Sequence, residues 1–297
     1  MEREIREFIA WIHRTNGSSY NTEVSYQRDL KKMAAYFEAL GITDSCEITG
    51  EDLAGYRDYM DAEGFASSTI SRNVASIRAF FHFLYKEGRL TADPSLSLRA
   101  PKVERKAPAI LSMEEVDLLL SQPSADTAKG RRDKAMLELL YATGMKVSEL
   151  VHLNLEDVNL EYGYISCKES GHERVLPISQ ECASALAAYL GAAREALVKG
   201  TEEKALFTNC SGKPMSRQGF WKVLKAYAAS AGIEGDIAPH TLRHSFAVHM
   251  LRNGADYKSV QDMLGNSCVS AASQVYLEMD QPKMRDVYMK AHKRKVG

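Results

Sequence analysis

The sequence predicts a mainly α-helical protein of two domains, the second of which carries a small antiparallel sheet. Apolar residues recur at three- and four-residue spacing through most of the first hundred residues and again from residue 216 onward. A polar, basic stretch that contains Pro101 and Pro108 separates the two regions. Because a chain of 297 residues exceeds one average domain, we expect a helical domain over residues 1–99, a linker over 100–108 and a second domain over 109–297.

The first domain should consist of four helices, since its apolar residues follow the helical period. The predicted helices cover residues 2–14, 22–40, 49–62 and 67–87. Gly41 is well placed to end the second helix, and Thr49 with Asp52 has the pattern of a capping box that opens the third. The aromatic residues of the fourth helix, Phe80, Phe81 and Phe83, are expected to pack in the core rather than to stack on bases.

The second domain should open at Ser112, which forms a capping box with Glu115. Two alternating segments, residues 162–167 and 174–178, predict a hairpin with its turn at 168–172, and residues 205–208 are expected to add a third strand. Helices are predicted at residues 134–141, from 147, and at 220–229, 240–253, 257–264 and 283–290.

Composition argues against a membrane protein and against a disulfide scaffold. The chain contains no run of eighteen apolar residues, and its charged N-terminus is unlike a secretory signal. Its five cysteines are odd in number and show no Cys-x-x-Cys spacing, so we predict reduced thiols, no metal site and no cofactor. These observations together predict a cytoplasmic protein.

The charge is unevenly distributed, although the formal net charge is only −1. Residues 68–106 contain eight Lys or Arg and three Asp or Glu, whereas acidic residues concentrate in the opening helices and around residues 47–63. Taken alone, this asymmetry is typical of a solvated surface. Beside the catalytic pattern described next, a basic face for a DNA duplex becomes the better interpretation.

The most informative residues lie between positions 240 and 276. His240 and Arg243 are three apart on a predicted helix and can converge on one anionic group, and Tyr276 follows as a candidate nucleophile. Upstream, Lys146 and Lys168 supply two further cations. A His-x-x-Arg pair alone is more often a plain surface pair, but the combination points to phosphoryl transfer through a phosphotyrosine.

The ordered landmarks of the chain resemble those of the tyrosine recombinases of the phage integrase family, and among these the bacterial Xer recombinases. The resemblance covers nearly the whole chain and is carried by Asn21-Thr22, Tyr26–Leu30, Ser68–Arg72, Asp93-Pro94, Pro101-Lys102, Leu111-Ser112, Thr143–Leu150, His240–His244, Leu264-Gly265, Tyr276 and Tyr288–His292. It implies a two-domain DNA clamp with a SAM-like N-terminal domain that binds the core site. Four identical or two kinds of protomers would assemble on double-stranded recombination sites, joined by a C-terminal helix over residues 282–294.

The resemblance also implies the role of each candidate site residue. Tyr276 attacks a DNA phosphate and forms a 3′-phosphotyrosyl bond, while Arg243 and His240 bind the phosphate oxygens. Lys168 corresponds to a hairpin lysine that protonates the departing 5′-oxygen; its alignment is one residue off, and His172 is the alternative. The predicted contacts with DNA come from Ser71, Arg72 and Arg217.

Two positions depart from the family pattern. Lys146 stands where the family has its first catalytic arginine, and Asn266 where it usually has a histidine. Lysine keeps the charge but lacks the planar fork, and an amide cannot exchange a proton at neutral pH. Glu149, one turn after Lys146, is expected to orient it, or else to be a surface partner.

These departures leave three hypotheses for function. The first is a site-specific recombinase, attenuated by Lys146 and Asn266. The second is a relative that binds DNA as an accessory or regulatory protein but no longer cleaves it. The third, a topoisomerase of the IB kind, is disfavoured by the predicted partner-docking helix at residues 282–294.

Overall fold

A computed structural model of the protein describes residues 1–102, 109–169, 172–198, 203–235 and 237–265. The chain divides into two units, Met1–Lys106 and Ala107–Gly297. Within the described ranges, the first unit is helical and the second combines helices with a three-stranded antiparallel sheet. The predicted fold class is therefore confirmed.

Four helices form the N-terminal unit, as predicted: α1 Glu2–Asn16, α2 Tyr20–Ala39, α3 Gly50–Ala62 and α4 Ser67–Lys86. The predicted capping box at Thr49 is present, since the Asp52 carboxylate accepts from the Thr49 backbone N–H and the Thr49 hydroxyl accepts from the Asp52 N–H. The three phenylalanines of α4, Phe80, Phe81 and Phe83, are buried, and the Phe8 ring lies 5.7 Å from that of Phe80. Their expected place in the core is confirmed.

The elements of the second unit, in the described ranges, are α5 Met113–Ser121, α6 Ala128–Thr143, α7 Val147–His152, β1 Val158–Asn159, β2 Tyr164–Glu169, β3 His172–Pro177, α8 Gln180–Ala188, α9 Arg194–Val198, α10 Arg217–Ser230, α11 Pro239–Arg252 and α12 Tyr257–Leu264. A π-helical turn at Tyr189–Ala193 joins α8 to α9. The predicted capping box of Ser112 and Glu115 opens α5. The helix predicted at residues 283–290 lies outside the described residues.

The prediction of a third strand at residues 205–208 is wrong. The strand that completes the sheet is β1, which pairs antiparallel with β2 in the order β1-β2-β3. Ala205 and Thr208 form only isolated bridges, to Asn154 and Pro214. A strand of two residues such as β1 is too short to produce a recognisable alternation in the sequence.

Helix α6 begins six residues before its predicted start, where the Thr127 hydroxyl accepts from the backbone N–H of Gly130. The missed residues include two buried charged side chains. Arg132 and Asp133 are 2% and 0% exposed, and the Arg132 guanidinium lies 2.6 Å from the Asp133 carboxylate. The hydroxyl of Tyr227 donates to the same carboxylate, and burial raises the pKa of Tyr227 to about 12. Charged residues are usually exposed, so a buried ion pair interrupts the apolar spacing by which a helix is recognised in a sequence. The spacing therefore did not indicate the first residues of α6.

In the part of the chain that the structure describes, no helix is long and apolar enough to cross a membrane. The same residues contain no cluster of His, Cys, Asp and Glu suited to a metal ion. The described cysteines, Cys46, Cys167, Cys182 and Cys210, are all thiols.

Candidate active site

Arg243 is held rigidly at the centre of the candidate site. It lies on α11 and is 2% exposed. Its Nη1 donates to the carbonyl oxygen of Gly144 and its Nη2 to that of Leu264, each at 2.6 Å. A guanidinium has five N–H donors in a fixed plane. Two of them orient the group, and the others have no hydrogen-bond partner among the described residues.

Gly144, which ends α6, allows this close approach. Its φ is +60°, a left-handed conformation that favours glycine. A Cβ at this position would overlap Cδ1 of Phe246 and lie 2.8 Å from Cδ2 of Leu264. The connection between α6 and α7 therefore packs directly on α11 and α12. This packing brings together the segments Thr143–Leu150 and His240–His244, two of the landmarks that resemble the family.

Lys146 and Glu149 are joined at the start of α7. The backbone N–H of Lys146 donates to Oε2 of Glu149 at 2.6 Å. Glu149 is only 7% exposed, and its carboxylate also lies against Arg174 of β3, with Nη2 2.7 Å from Oε2. Glu149 thus holds the residue Lys146 through its backbone, which is one way in which it can orient the lysine.

His240 occupies the exposed first turn of α11. Partial desolvation of its ring, followed by the positive fields of His244 and Arg243, lowers its pKa. The imidazole is therefore held in its neutral form at pH 7, in which it can accept a proton or donate one. The predicted convergence of His240 and Arg243 on one anion stays a prediction.

Lys168 lies on the outer face of the β2–β3 hairpin. It pairs with Glu173 across the hairpin, whereas the neighbouring pair of Cys167 and Arg174 belongs to the opposite, core-facing side. Its Nζ is 3.7 Å from Oδ1 of Asp157, and its side chain is 62% exposed. Lys168 also lines the same cavity as Glu149 and His152. Its role as proton donor stays a prediction.

The remaining catalytic candidates, Asn266 and Tyr276, lie outside the described residues. The last described residues before them are Leu264, whose carbonyl accepts from Arg243, and Gly265. The turn residues 170 and 171 and the side chain of His172 also lie outside the described part of the chain.

The DNA-binding candidates have different surroundings. Arg72 forms two hydrogen bonds with the buried carboxylate of Asp29, and the Ser71 hydroxyl donates to the carbonyl of Pro101 at 3.5 Å. Arg217 is exposed in the first turn of α10, whose sequence contains no acidic residue. Lys225 on the same helix lies 4.3 Å from the centre of the exposed Trp221 ring. Arg217 is therefore better placed for a nucleic acid than Arg72, and all three contacts stay predictions.

Sequence reasoning missed Arg174. Its Nε donates to the carbonyl of Met263 at 3.1 Å, in addition to its contact with Glu149. In the sequence, Glu173-Arg174 serves only to align the hairpin with the family pattern, and nothing in that pattern indicates the contacts of Arg174 with Met263 and Glu149.

Both units match family models. The description "Phage integrase family" matches residues 109–282, and "Phage integrase, N-terminal SAM-like domain" matches residues 5–88. The chain therefore belongs to the phage integrase family, the tyrosine recombinases, as the sequence resemblance predicted.

Within that family the chain is similar to proteins named tyrosine recombinase XerD. It is 41% identical to the XerD of Halalkalibacterium halodurans over 296 residues, and 42% identical to that of Oceanobacillus iheyensis over 297 residues; each match covers 99% of both chains. Solved structures confirm the fold. A Tn1549 transposon integrase in complex with transposon right end DNA matches with a TM-score of 0.75 at 18% identity, covering 97% of this chain and 98% of that one. The recombinase XerH, in a post-cleavage complex with a difH substrate, matches with a TM-score of 0.71 at 21% identity, covering 91% and 78%.

Proposed function

We propose that the protein is a site-specific recombinase that cuts and rejoins DNA through Tyr276. The observation that carries this proposal is the fixed guanidinium of Arg243, which is held by Gly144 and Leu264 beside the Lys146–Glu149 pair. Membership of the tyrosine recombinase family and the similarity to proteins named XerD support it further.

The proposed cleavage step is an exchange of phosphate esters. The Tyr276 oxygen attacks the phosphorus, the bond from phosphorus to the 5′-oxygen breaks, and a 3′-phosphotyrosine and a free 5′-hydroxyl result. His240 can receive the tyrosine proton, because the lowered pKa keeps its imidazole unprotonated at pH 7. Attack of a 5′-hydroxyl on the phosphotyrosine reverses the step, so rejoining needs no external energy source.

Charge that develops on the phosphate oxygens must meet donors that are already in place. In the proposal, Arg243 supplies the planar fork and Lys146 a point charge. The proton for the departing 5′-oxygen comes from Lys168 or from His172, the two candidates of the hairpin. Asn266 donates a hydrogen bond where a histidine is usual.

Double-stranded DNA is the proposed partner. The exposed face of α10 supports this, since Arg217, Lys222 and Lys225 lie on one helix without an acidic residue. The N-terminal unit is proposed to bind the same duplex through the hydroxyls and backbone N–H groups at the start of α4.

Assembly of several protomers is proposed to use residues 282–294. The second unit has a groove of about 420 Å³ whose lining includes the carboxylates of Asp117, Glu138 and Glu181, the ammonium of Lys134, and an apolar floor of Leu120, Tyr141, Phe246 and Met250. We name it the acidic groove. Residues 282–294 contain five Lys or Arg and one Asp, with apolar residues at 284, 287, 288 and 291. The charges are complementary, so we propose that this segment of one protomer occupies the acidic groove of the next.

Charge reversal tests that assembly. Asp117→Lys with Glu181→Lys should reduce cooperative binding of protomers to a duplex with two adjacent sites, while binding to a single site is kept. Lys290→Glu with Lys293→Glu in the neighbour should restore it. Unchanged cooperativity in the groove variant would exclude the acidic groove as the docking site.

Covalent trapping tests the enzymatic function. A nicked duplex with a candidate site is incubated with the natural protein, Tyr276→Phe and Lys146→Arg, and denaturation-resistant adducts are measured. We expect an adduct with the natural protein, none with Tyr276→Phe, and faster formation with Lys146→Arg, by roughly tenfold to a hundredfold, because a well-aimed donor contributes about 10²–10³ in rate. Lys129→Arg, at an exposed lysine of α6, is the matched control and should change nothing.

The second candidate function is a DNA-binding relative that does not cleave. Lys146 and Asn266 favour it, because two family positions lack their usual side chains. Binding to the site without an adduct from any variant, including Lys146→Arg, would establish this function instead.

A further inference from the structure

Arg174 is partly buried and contacts two other elements of the second unit. It lies on the core-facing side of the β2–β3 hairpin, and its side chain is 19% exposed. Its Nη2 contacts both carboxylate oxygens of Glu149, at 2.6 and 2.7 Å, and its Nε donates to the carbonyl of Met263 at 3.1 Å. One side chain thus joins β3, α7 and the C-terminal end of α12.

These contacts close a ring around the candidate site. Arg243 joins the carbonyls of Gly144 and Leu264, and Arg174 joins Met263, the residue before Leu264, to Glu149. Glu149 in turn accepts from the backbone N–H of Lys146, two residues after Gly144. We call this set of hydrogen bonds the motif ring. Arg174 is the member that belongs to the hairpin.

The side chain at position 174 must be both cationic and forked. Glu149 is buried, and a buried carboxylate without a cation is strongly unfavourable. A guanidinium can meet the carboxylate with one nitrogen and a carbonyl with another, whereas an ammonium is a single point. Gly265 leaves room for it, because a Cβ there would lie 3.1 Å from Nη1 of Arg174.

We propose that Arg174 is a positioning residue for DNA cleavage, an inference that rests on the proposed function above. By holding Glu149 it sets the position at which Lys146 begins α7. By holding the carbonyl of Met263 it fixes the C-terminal end of α12, the last described helix before Asn266 and Tyr276 in the sequence. Arg174 itself does not touch the DNA phosphate in this proposal; it acts through the residues at both ends of the motif ring.

The proposal predicts a split between binding and chemistry. Displacing catalytic groups by about 1 Å costs about a hundredfold in rate. Arg174→Gln should therefore lower the rate of adduct formation at saturating nicked duplex by roughly tenfold to a hundredfold, with the Kd for duplex within about twofold of the natural value. The rate of adduct formation in Arg174→Lys should lie between those of the natural protein and Arg174→Gln. Lysine restores the charge near Glu149 but loses one of the two contacts.

The matched control is Arg194, an arginine of the same unit that also holds backbone carbonyls. It donates to Ala205 at 2.7 Å and to Leu206 at 3.2 Å, and it does not contact the motif ring. Arg194→Gln should lower the thermal midpoint without changing the cleavage rate at temperatures where the variant is folded. A fall in cleavage rate equal to that of Arg174→Gln would overturn the proposal, since general loosening of the unit would then explain both.

Hydrogen exchange provides a readout that does not depend on activity. In the full-length protein, Arg174→Gln should accelerate amide exchange in peptides that cover α7 and residues 257–265, and Arg194→Gln should not. If the natural protein gives no adduct, the proposed function fails while this measurement still tests the motif ring. If Arg174→Gln exchanges and cleaves as the natural protein does, the positioning role is overturned. It is also overturned if the variant binds duplex more weakly by the same factor by which it cleaves more slowly.

A double variant tests the route of action. If Arg174 acts through Glu149, then Glu149→Gln combined with Arg174→Gln should cleave about as fast as the slower single variant. If the rate of the double variant is instead reduced by the product of the two single-variant factors, Arg174 acts independently of Glu149. That result would overturn this part of the proposal.

Discussion

Arg72 binds the buried carboxylate of Asp29 in a bidentate ion pair, with Nε 2.7 Å from Oδ2 and Nη2 2.8 Å from Oδ1. Asp29 lies on α2 and is 1% exposed, whereas the Arg72 side chain on α4 is 38% exposed. The pair therefore joins two helices of the N-terminal unit. It gives Arg72 a structural task in addition to its predicted contact with DNA.

Removing Arg72 should destabilise the N-terminal unit more than neutralising Asp29. Arg72→Ala leaves a buried carboxylate without its cation, for which losses of about 3–5 kcal/mol are typical. Asp29→Asn keeps a hydrogen-bonding oxygen, and the freed guanidinium can be hydrated, so we expect a smaller loss. Denaturant unfolding of the full chain, followed by a probe in the N-terminal unit, measures both. The reverse order would mean that the pair contributes little to stability.

Gly144→Ala should disrupt the candidate site, because it combines backbone strain with a clash. A left-handed conformation costs a non-glycine residue about 1–2 kcal/mol, and the added methyl group would also overlap the ring of Phe246. Gly163→Ala is the matched control, since its φ is +67° and a Cβ there meets nothing within 4 Å.

Comparing the two glycine variants by denaturant unfolding and adduct formation separates the effects. Gly163→Ala should show the strain alone, with an unchanged cleavage rate. Gly144→Ala should lose several times more stability and most of the cleavage rate, since the carbonyl of Gly144 orients Arg243. Equal losses of stability in Gly144→Ala and Gly163→Ala would show that the added methyl group at position 144 does not clash with Phe246.

How much was predictable from the sequence depended on how far apart the interacting residues lie. The helices of the N-terminal unit follow from the apolar spacing, and Thr49 and Ser112 mark helix starts because a capping box is local. The role of Arg174 could not be predicted in this way. It depends on Met263, which is 89 residues away, and such contacts exist only after folding.

The same reasoning explains the outcome for Lys168. Its place at the hairpin was predicted, but its side of the hairpin depends on the register of β2 against β3, which pairs Lys168 with Glu173. A shift of one residue moves a side chain to the opposite face. One residue of uncertainty in the alignment was therefore enough to leave the proton donor open between Lys168 and His172.

Arg217→Ala should make binding to duplex DNA less dependent on salt. Each phosphate contact that is lost reduces the slope of log Kd against log salt concentration by about one unit. Lys129→Ala, on α6, is the control and should leave the slope unchanged. Measuring Kd at several salt concentrations distinguishes a lost phosphate contact from a lost base contact. Loss of a base contact would instead relax specificity at one position of the site. An unchanged slope and unchanged specificity would remove Arg217 from the DNA interface.

Stability should fall as the pH is lowered below about 6.5, and His249 should contribute to that fall. His249 is 4% exposed, and its Nδ1 lies 2.8 Å from the Tyr141 hydroxyl. Burial lowers its pKa most; a hydrogen bond with the Leu111 backbone opposes this, the charge of Arg252 lowers the pKa further, and Glu114 has the smallest, opposing effect. The unfolded chain, whose histidines titrate near 6.5, therefore binds the proton more readily than the folded protein.

The sign follows from this difference in proton binding. Where the unfolded state binds more protons, stability rises with pH, so the contribution of His249 is present above about pH 6.5 and is lost as the pH falls toward its lower folded pKa. Free energies of unfolding measured between pH 5 and 8 should therefore decrease on the acid side, and His249→Gln should make that decrease shallower. The exposed His152 provides a control, His152→Gln, that should leave the slope as it is. A slope that is unchanged in His249→Gln would show that the buried imidazole is protonated as easily in the folded protein as in the unfolded chain.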